Sequence, residues 1–360
     1  MKPTQALHDL GQSLWLDNIT RDILDKGTLR RYVDELSVTG LTSNPTIFDE
    51  AIGGGTAYDE EIRRKTKAGV VGEALFVELA LEDLRRAADL FRPIYDRTGG
   101  TDGWVSMEVS PLLASDTKAT IDSALNIHKL AGRPNLYVKI PGTPEGVPAI
   151  EAAIFAGVPV NVTLLFSREQ YLAVAGAYMR GLERRIAAGL DPRISSVASV
   201  FVSRWDRAVI DKVPADLRNR LGIAIGMRTY RAHCELLETK RWRDLAAAGA
   251  RKQRMLWAST GVKDPNAPAD LYVSAFAAPE TIDTMPEKTL LAFAERGTVK
   301  SPMPKDGGDA EEVLKRFAAA GVDVDKLAAT LQVDGAQSFV KSWAELLQRI
   351  SEKGAALATS

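Results

Sequence analysis

The sequence predicts an α/β protein with a (β/α)8 barrel, and three observations lead to this fold class. Eight strand-like segments recur along the 360 residues, and several are apolar at consecutive positions, as in parallel strands covered on both faces. Helical patterns lie between them, and this alternation is typical of a parallel sheet. Polar side chains follow several strands directly, where barrel enzymes carry their chemistry.

The elements follow in order from local composition. Short segments rich in Val and Ile and bounded by turn residues predict strands at 13–16, 38–41, 103–109, 136–140, 158–164, 194–202, 254–259 and 271–276. Apolar residues at helical spacing, with start signals such as Ser167 and Gln170 of a capping box, predict helices at 73–91, 116–130, 144–156, 167–188, 214–248 and 286–295. A doubly wound open sheet is the main alternative, although the chain has no dinucleotide or P-loop glycine motif to support it.

Two stretches exceed what a minimal barrel needs. Residues 48–100 separate the second and third strands by more than one helix requires, which predicts extra helices after the second strand. Residues 306–360 form a predicted helical C-terminal extension that packs across the barrel or contributes to a subunit interface. Without repeats or low-complexity linkers, residues 1–360 are expected to form a single domain.

Composition excludes several classes of function. The formal net charge of -1 gives no global attraction to nucleic acid or to a membrane. The longest apolar stretch, 152–160, is interrupted by Gly157 and Pro159 and is too short to span a bilayer. One cysteine and three histidines offer little for a disulfide or a metal site, so we expect a cytoplasmic protein without a metal.

Lys139 is the most informative single residue. It lies among the strand formers Leu136, Tyr137, Val138 and Ile140, and Pro141 with Gly142 then ends the strand. Burial there disfavours the charged form of the ammonium. A neutral amine is a nucleophile that forms a Schiff base with a ketone. The alternative is a lysine that extends its ammonium from the barrel rim into solvent.

Other polar residues occupy equivalent strand ends. The set comprises Asp17, Thr42, Asn44, Glu108, Asn161, Thr163, Ser199, Arg204, Ser259 and Thr260. Each has a structural alternative: Asp17 and Asn44 could cap helices, Glu108 and Arg204 could form ion pairs, and Thr163 could fill a strand. Their joint occurrence at one level of several strands favours an active site over these separate explanations.

The motifs around these residues resemble those of transaldolases, in particular the longer bacterial branch of the family. The resemblance covers nearly the whole chain and rests on Leu16-Asp17, Gly40-Leu-Thr-Ser-Asn-Pro-Thr46, Ser106-Met-Glu-Val109, Tyr137-Val-Lys-Ile-Pro141, Asn161-Val-Thr-Leu-Leu-Phe-Ser167 and Ser199-Val-Phe-Val-Ser-Arg204. It implies a (β/α)8 barrel and a cofactor-free transferase of the pentose phosphate pathway. Such an enzyme moves a dihydroxyacetone unit from sedoheptulose 7-phosphate or fructose 6-phosphate to glyceraldehyde 3-phosphate or erythrose 4-phosphate.

The resemblance also implies a role for each residue. Lys139 would be the Schiff-base lysine, Asp17 the acid and base at the C4 hydroxyl, and Glu108 with Thr163 the proton shuttle through a water molecule. The implied substrate-binding residues are Thr42, Asn44, Asn161, Ser199 and Arg204. The second phosphate-binding arginine of the family has no counterpart in 259–264, where Lys263 is the available cation.

Two other functions remain open at this stage. A simple class I aldolase would share the lysine and the barrel but release dihydroxyacetone to water. A catalytically silent barrel would bind sugar phosphates or a protein partner without turnover. Neither the preferred donor nor the choice between monomer and homodimer follows from the sequence.

Overall fold

Eight parallel strands form the centre of the computed structural model, which describes residues 2–299 and 301–358. The strands are β1 (Ser13–Asp17), β2 (Val38–Thr42), β3 (Val105–Glu108), β4 (Leu136–Pro141), β5 (Val160–Leu165), β6 (Ser196–Phe201), β7 (Arg254–Ala258) and β8 (Ile282–Met285). Their order in the sheet is β2-β1-β8-β7-β6-β5-β4-β3, and every pair is parallel. The prediction of a (β/α)8 barrel is therefore confirmed.

Helices separate the strands and continue beyond the last one. They are α1 (Pro3–Asp9), α2 (Arg21–Asp25), α3 (Thr28–Leu36), α4 (Pro45–Gly53), α5 (Asp59–Lys67), α6 (Gly72–Arg97), α7 (Thr117–Ala131), α8 (Gly146–Phe155), α9 (Arg168–Ala187), α10 (Ser203–Val209), α11 (Leu221–Leu237), α12 (Lys240–Ala247), α13 (Leu271–Ala275), α14 (Glu287–Arg296), α15 (Ala310–Ala319) and α16 (Val324–Ala358). Short 3-10 helices cover Pro111–Leu113 and Ala215–Leu217. None of the helices in the described ranges is long and apolar enough to cross a membrane.

The first and last strands of the sheet order approach each other closely. The Leu41 N–H donates a hydrogen bond of 3.0 Å to the carbonyl of Trp104, directly before β3. A Cβ atom on Gly40 would lie 2.6 Å from Trp15 Nε1 and 2.7 Å from the Trp104 oxygen. Glycine is therefore required at residue 40, because any side chain would separate β2 from β1 and β3.

Alternate residues of the strands fill the interior of the barrel. Trp15, Tyr137, Val197, Leu256 and Ile282 come from five different strands, are at most 2% exposed and belong to one apolar cluster. Trp104 stacks on Tyr137 at a ring distance of 4.0 Å. This layer closes the barrel below the strand ends, so that only the C-terminal ends are left for polar side chains.

The predicted eighth strand at 271–276 is wrong. That segment is the short helix α13, and the eighth strand is Ile282–Met285. Ser274 donates a hydrogen bond to Asp270, which directly precedes α13. A short apolar run fits a buried helical turn as well as a buried strand, and periodicity cannot separate the two.

The extra helices occur where the long insertions predict them. α4, α5 and α6 lie between β2 and β3, and α15 and α16 follow the barrel. α16 packs against α4, α5, α6 and β5 and so crosses the barrel end. The predicted helix at 214–248 divides into α11 and α12. The single domain stays a prediction, and residues 1, 300, 359 and 360 of its range lie outside the described residues.

Candidate active site

Seven of the nine predicted site residues line one cavity at the C-terminal end of the barrel, whereas Glu108 and Asn161 lie beside Lys139 on the neighbouring strands without lining it. The cavity has a volume of about 140 Å³. Strand register explains the arrangement, because Glu108 pairs with Lys139 and Lys139 pairs with Asn161 on adjacent parallel strands. Its lining consists of Asp17, Thr42, Asn44, Lys139, Thr163, Ser199, Phe201, Arg204, Leu256, Ala258, Ser259, Gly261, Lys263, Thr284, Pro286 and Phe339.

Lys139 is buried, with only 6% of its surface exposed. Its Nζ lies 3.7 Å from Glu108 Oε1 and donates a hydrogen bond of 3.1 Å to the carbonyl of Ser43. The aromatic ring of Phe339 lies 5.5 Å away, within the range of a cation–π contact. Lys139 therefore does not extend into solvent, and its amine faces the cavity beside a carboxylate.

Glu108 is a buried carboxylate whose proton affinity is increased. Desolvation raises the pKa of Glu108 to about 6, against the opposing charge of Lys139, and Asp17 adds a smaller increase. Neither carboxylate oxygen of Glu108 has a hydrogen-bond partner in the described part of the chain. A carboxyl group with this pKa can both accept and release a proton near neutral pH.

Asp17 lies across the cavity and is held by Thr42. The Thr42 hydroxyl donates to Asp17 Oδ1 at 2.9 Å and is 2.6 Å from the hydroxyl of Thr284. Burial raises the pKa of Asp17, while Lys139, the Thr42 hydrogen bond and Lys263 act in the opposite direction. Asp17 precedes no helix directly, because α2 begins at Arg21 and Thr20 caps it. The helix-capping explanation of Asp17 is therefore not supported.

A chain of side-chain hydrogen bonds fixes Asn161. Ser199 donates to Asn161 Oδ1 at 2.7 Å, and the Asn161 amide donates to the hydroxyl of Ser106 at 3.1 Å. Thr163 contributes a buried hydroxyl without a hydrogen-bond partner in the described residues, and it lines the cavity. Asn44 has both of its predicted uses, because it caps α4 through the Ile47 N–H and also lines the cavity.

Arg204 is the cation at the far side of the cavity. Its guanidinium lies 5.1 Å from the ring of Phe201 and 5.9 Å from that of Phe339. No carboxylate pairs with it among residues 2–299 and 301–358, so the ion-pair explanation of Arg204 is not supported. Desolvation and the neighbouring Arg207 lower the pKa of Arg204. Lys263 lines the same cavity, so two cations are available to an anionic ligand.

The C-terminal helix α16 supplies a part of the site that sequence reasoning missed. Phe339 lies on α16 and contacts both Lys139 and Arg204. Gln332, one of its buried polar residues, donates to the carbonyls of Gly142 and Leu164 at 3.0 Å each. Leu164 has a φ of 60°, which strains a leucine, and the sheet register is irregular there. α16 thus stabilises the ends of β4 and β5, which carry Lys139 and Thr163.

Other lining residues also escaped prediction. Phe201 and Thr284 face the cavity from β6 and β8, and the predicted strand-end residue Ser259, which directly follows β7, lines it as well. The signal available for them is the alternation of strand residues, since Phe201 is two positions from Ser199 and points to the same side. No comparable local signal exists for Phe339.

Comparisons with known proteins agree with this arrangement. Residues 14–350 match the sequence model of the family described as Transaldolase/Fructose-6-phosphate aldolase. A Thermobifida fusca protein named transaldolase is 45% identical over 98% of this chain and 99% of its own length. Proteins of the same name from Saccharopolyspora erythraea and Thiobacillus denitrificans are 43% and 42% identical over 97% of this chain. This chain therefore belongs to the transaldolase/fructose-6-phosphate aldolase family.

Proposed function

We propose that this chain is a transaldolase. It transfers a dihydroxyacetone unit from sedoheptulose 7-phosphate or fructose 6-phosphate to glyceraldehyde 3-phosphate or erythrose 4-phosphate, without a cofactor. The observation that carries the proposal is the buried amine of Lys139, which lies 3.7 Å from Glu108 in a cavity shared with Asp17 and Arg204. Enzyme class and family follow from the relatives, and the geometry of the cavity supports the residue roles that the resemblance implies.

The first half of the reaction forms the covalent intermediate. Neutral Lys139 adds through Nζ to the C2 carbonyl of the donor and gives a carbinolamine. The proton of the added nitrogen moves through water to the former carbonyl oxygen, and the proton that Glu108 accepted from the Lys139 ammonium before the attack then goes to the C2 hydroxyl, which leaves as water. A water molecule held by Thr163 carries these protons, which gives the unpartnered Thr163 hydroxyl a function.

The second half breaks and remakes a carbon–carbon bond. The iminium formed on Lys139 draws the electrons of the C3–C4 bond, while Asp17 takes the proton of the C4 hydroxyl, and an aldose leaves. The remaining enamine keeps three carbons bound to Lys139. When an acceptor aldehyde arrives, the enamine attacks its carbonyl carbon and Asp17 returns the proton. The raised pKa of Asp17 suits both directions of this transfer.

The remaining residues bind the substrate. Asn44 and Asn161 orient the dihydroxyacetone hydroxyls beside Lys139. Ser199 and Arg204 bind the phosphate, and the planar guanidinium allows two parallel hydrogen bonds to it. Lys263 adds a second positive charge in place of an arginine, as a point charge without this geometry. Action in the cytoplasm, and the choice between monomer and homodimer, stay predictions from the sequence.

Dependence on an acceptor distinguishes the transferase from an aldolase. The purified protein is incubated with sedoheptulose 7-phosphate, with and without glyceraldehyde 3-phosphate, and products are quantified by mass spectrometry. We expect erythrose 4-phosphate and fructose 6-phosphate to accumulate only when the acceptor is present. Equal rates of donor cleavage in both conditions would mean that the protein is an aldolase and not a transferase.

Borohydride trapping tests Lys139 directly. Treatment with fructose 6-phosphate and borohydride should add the mass of a reduced three-carbon fragment or of the whole ketose to the peptide containing Lys139. Lys139→Met should fold but show no adduct and no turnover, because Glu108 can become neutral when its cation is lost. An unmodified wild-type protein would favour the silent barrel, and an active Lys139→Met variant would reassign the nucleophile.

A further inference from the structure

A second, much smaller cavity is lined by Glu108, which does not line the large cavity. Its volume is about 10 Å³, which is close to the space that one water molecule occupies. The end of β3, the segment after β2, and helices α4, α6 and α16 surround it. The lining residues with polar side chains or aromatic rings are Ser43, Asn44, Phe48, Phe76, Glu108 and Trp343.

Two buried polar groups in this cavity lack a hydrogen-bond partner. The Trp343 Nε1–H, on a residue only 2% exposed, has no acceptor within the described residues, and Glu108 has no donor within hydrogen-bond distance. Buried polar groups of folded proteins are nearly always paired, directly or through ordered water. Here one group is a donor, the other is an acceptor, and both line one cavity of the size of a water molecule.

We propose that a single water molecule in this cavity accepts a hydrogen bond from Trp343 Nε1 and donates one to the Glu108 carboxylate. Trp343 is then a positioning residue, which fixes the orientation of Glu108 and stabilises its ionised form. This inference rests on the proposed function of Glu108 as the proton shuttle. It extends the active site to a second residue of α16, one helical turn after Phe339.

The packing around Trp343 holds its indole in place. Phe76 of α6 packs edge-on against Trp343 at a ring distance of 5.0 Å, and Phe48 of α4 packs in the same way against Phe76 at 5.3 Å. Leu346, on the next turn of α16, is fully buried. Rigid aromatic neighbours leave the indole few rotamers, as a residue that orients another group requires.

The charged groups that act on Glu108 are few. Lys139 faces it from β4, and the charge of Asp17 acts on it from β1. α4, α6 and α16 contribute only uncharged groups to the cavity lining. Removal of the indole N–H therefore removes one hydrogen bond to the water molecule beside Glu108. The charged groups around Glu108 stay the same.

The test compares two identical substitutions. Trp343→Phe removes the indole N–H next to Glu108, whereas Trp104→Phe removes an equally buried indole N–H that donates to the Gly100 carbonyl near the start of β3. The acid limb of kcat/KM is measured for both variants and the wild type. We expect Trp343→Phe to move this limb upward by about one pH unit, the size expected for loss of one hydrogen bond to a charged group. Trp104→Phe should leave the limb in place.

An unchanged acid limb in folded Trp343→Phe would overturn the inference. If that variant does not fold, a high-resolution crystal structure of the wild type decides: a water molecule within about 3.2 Å of both Glu108 and Trp343 Nε1 supports it, and a dry cavity overturns it. Failure of the proposed function has a different signature, because donor cleavage would then not depend on an acceptor or the wild type would form no borohydride adduct.

Discussion

Glu108 and Lys139 lie opposite each other on neighbouring strands, and the charge of each depends on the other. The carboxylate favours the ammonium by attraction, while the dry surroundings penalise both charges. Burial raises the pKa of Glu108 to about 6, so this carboxylate accepts a proton more readily than an exposed one would. A proton acceptor beside Lys139 is what formation of a neutral nucleophile requires.

The pH dependence of the reaction should therefore report Glu108. Its pKa of about 6 places the ionised, proton-accepting form above that pH. We expect kcat/KM to fall below about pH 6, because protonated Glu108 cannot accept the proton of the amine. Glu108→Gln should abolish this limb and slow turnover by about 10²–10⁴-fold, the usual contribution of a general acid or base. If the acid limb of the wild type persists in Glu108→Gln, another group causes it.

The two cations of the large cavity should contribute unequally to phosphate binding. Arg204 is partly buried and offers two parallel hydrogen bonds, whereas Lys263 is exposed and acts as a point charge. We expect Arg204→Ala to lower kcat/KM for fructose 6-phosphate by about 100-fold, and Lys263→Ala by about 3–10-fold, since 1.4 kcal/mol corresponds to tenfold.

Unphosphorylated fructose is the control substrate for both variants, because its binding needs no phosphate contact. An equal loss with fructose would mean that Arg204 or Lys263 supports the fold of the site rather than the phosphate. Equal losses of kcat/KM in the two variants on fructose 6-phosphate would mean that Lys263 fully replaces the second phosphate-binding arginine of the family.

Sequence reasoning located the polar site residues because strand ends share one geometric level. Lys139, Glu108 and Asp17 each carry a charge in an apolar segment, which is a local signal that a single sequence provides. Phe339 and Trp343 carry no such signal, because an aromatic residue at helical spacing is typical of an ordinary core position. Their proximity to Lys139 and Glu108 depends on how α16 crosses the barrel, which is a tertiary property.

The C-terminal helix α16 is the element that connects the site to the rest of the molecule. It closes the cavity with Phe339 and holds the strained end of β5 through Gln332. Arg349 pairs with Asp49 of α4, and Lys353 pairs with Asp59 of α5, so its second half is fixed to the insertion after β2. The two stretches that exceed the minimal barrel therefore pack on each other and together cover the active site.

Gly335 lies where α16 packs against Leu164 and Arg204. A Cβ atom there would lie 2.9 Å from Leu164 Cδ2 and 3.1 Å from Arg204 Nη1. We expect Gly335→Ala to destabilise the fold by about 1–2 kcal/mol, because overpacking outweighs the gain in helix propensity. Displacement of Arg204 should also raise the KM for fructose 6-phosphate. Chemical unfolding and steady-state kinetics measure the two effects.

Gly176→Ala is the matched control for this prediction. Gly176 lies within α9, and its Cβ would meet only the flexible end of Arg180 at 3.4 Å. That substitution should stabilise the fold slightly and leave the KM unchanged. Stabilisation by both alanines would show that α16 can move away from the site without loss.

The error at the eighth strand shows where pattern reasoning fails for an element. Segment 271–276 has the apolar composition of a strand but forms α13, and Phe276, which directly follows this helix, stacks on Trp257. The true strand β8 has only four residues, two of which are Asp283 and Thr284. A short strand with polar side chains on both faces carries almost no hydrophobic signal. β8 is therefore identified by its pairing with β1 and β7 in the barrel and not by its own sequence.

The whole molecule buries several carboxyl groups without a cation, and their protonation couples its stability to pH. Burial raises the pKa of Asp283 to about 7 and that of Asp206 to about 6. His233 has the opposite effect, since burial lowers its pKa to about 4 and its neutral form is favoured. Between pH 4 and 7 the buried carboxyl groups and His233 therefore change the free energy of unfolding in opposite directions. Substitution of each group separates its contribution.

Asp283 makes the clearest contribution of these groups to the pH dependence of stability. It is fully buried, and the hydroxyl of Thr260 is its only hydrogen-bond partner in the described residues. Its folded pKa lies above the unfolded value of 3.8, so folding favours the protonated form. The resulting penalty is absent below about pH 4, grows as the pH rises toward 7 and is complete above that.

Asp283→Asn keeps the shape of the side chain and an oxygen for Thr260 but cannot ionise. We expect the variant to equal the wild type near pH 4, and to exceed it in unfolding free energy by on the order of 2–4 kcal/mol at pH 8, because one pKa unit corresponds to about 1.4 kcal/mol. Urea unfolding at both pH values measures this difference. A stability difference that does not change between pH 4 and pH 8 would mean that Asp283 is ionised in the fold and that its burial is compensated by a donor.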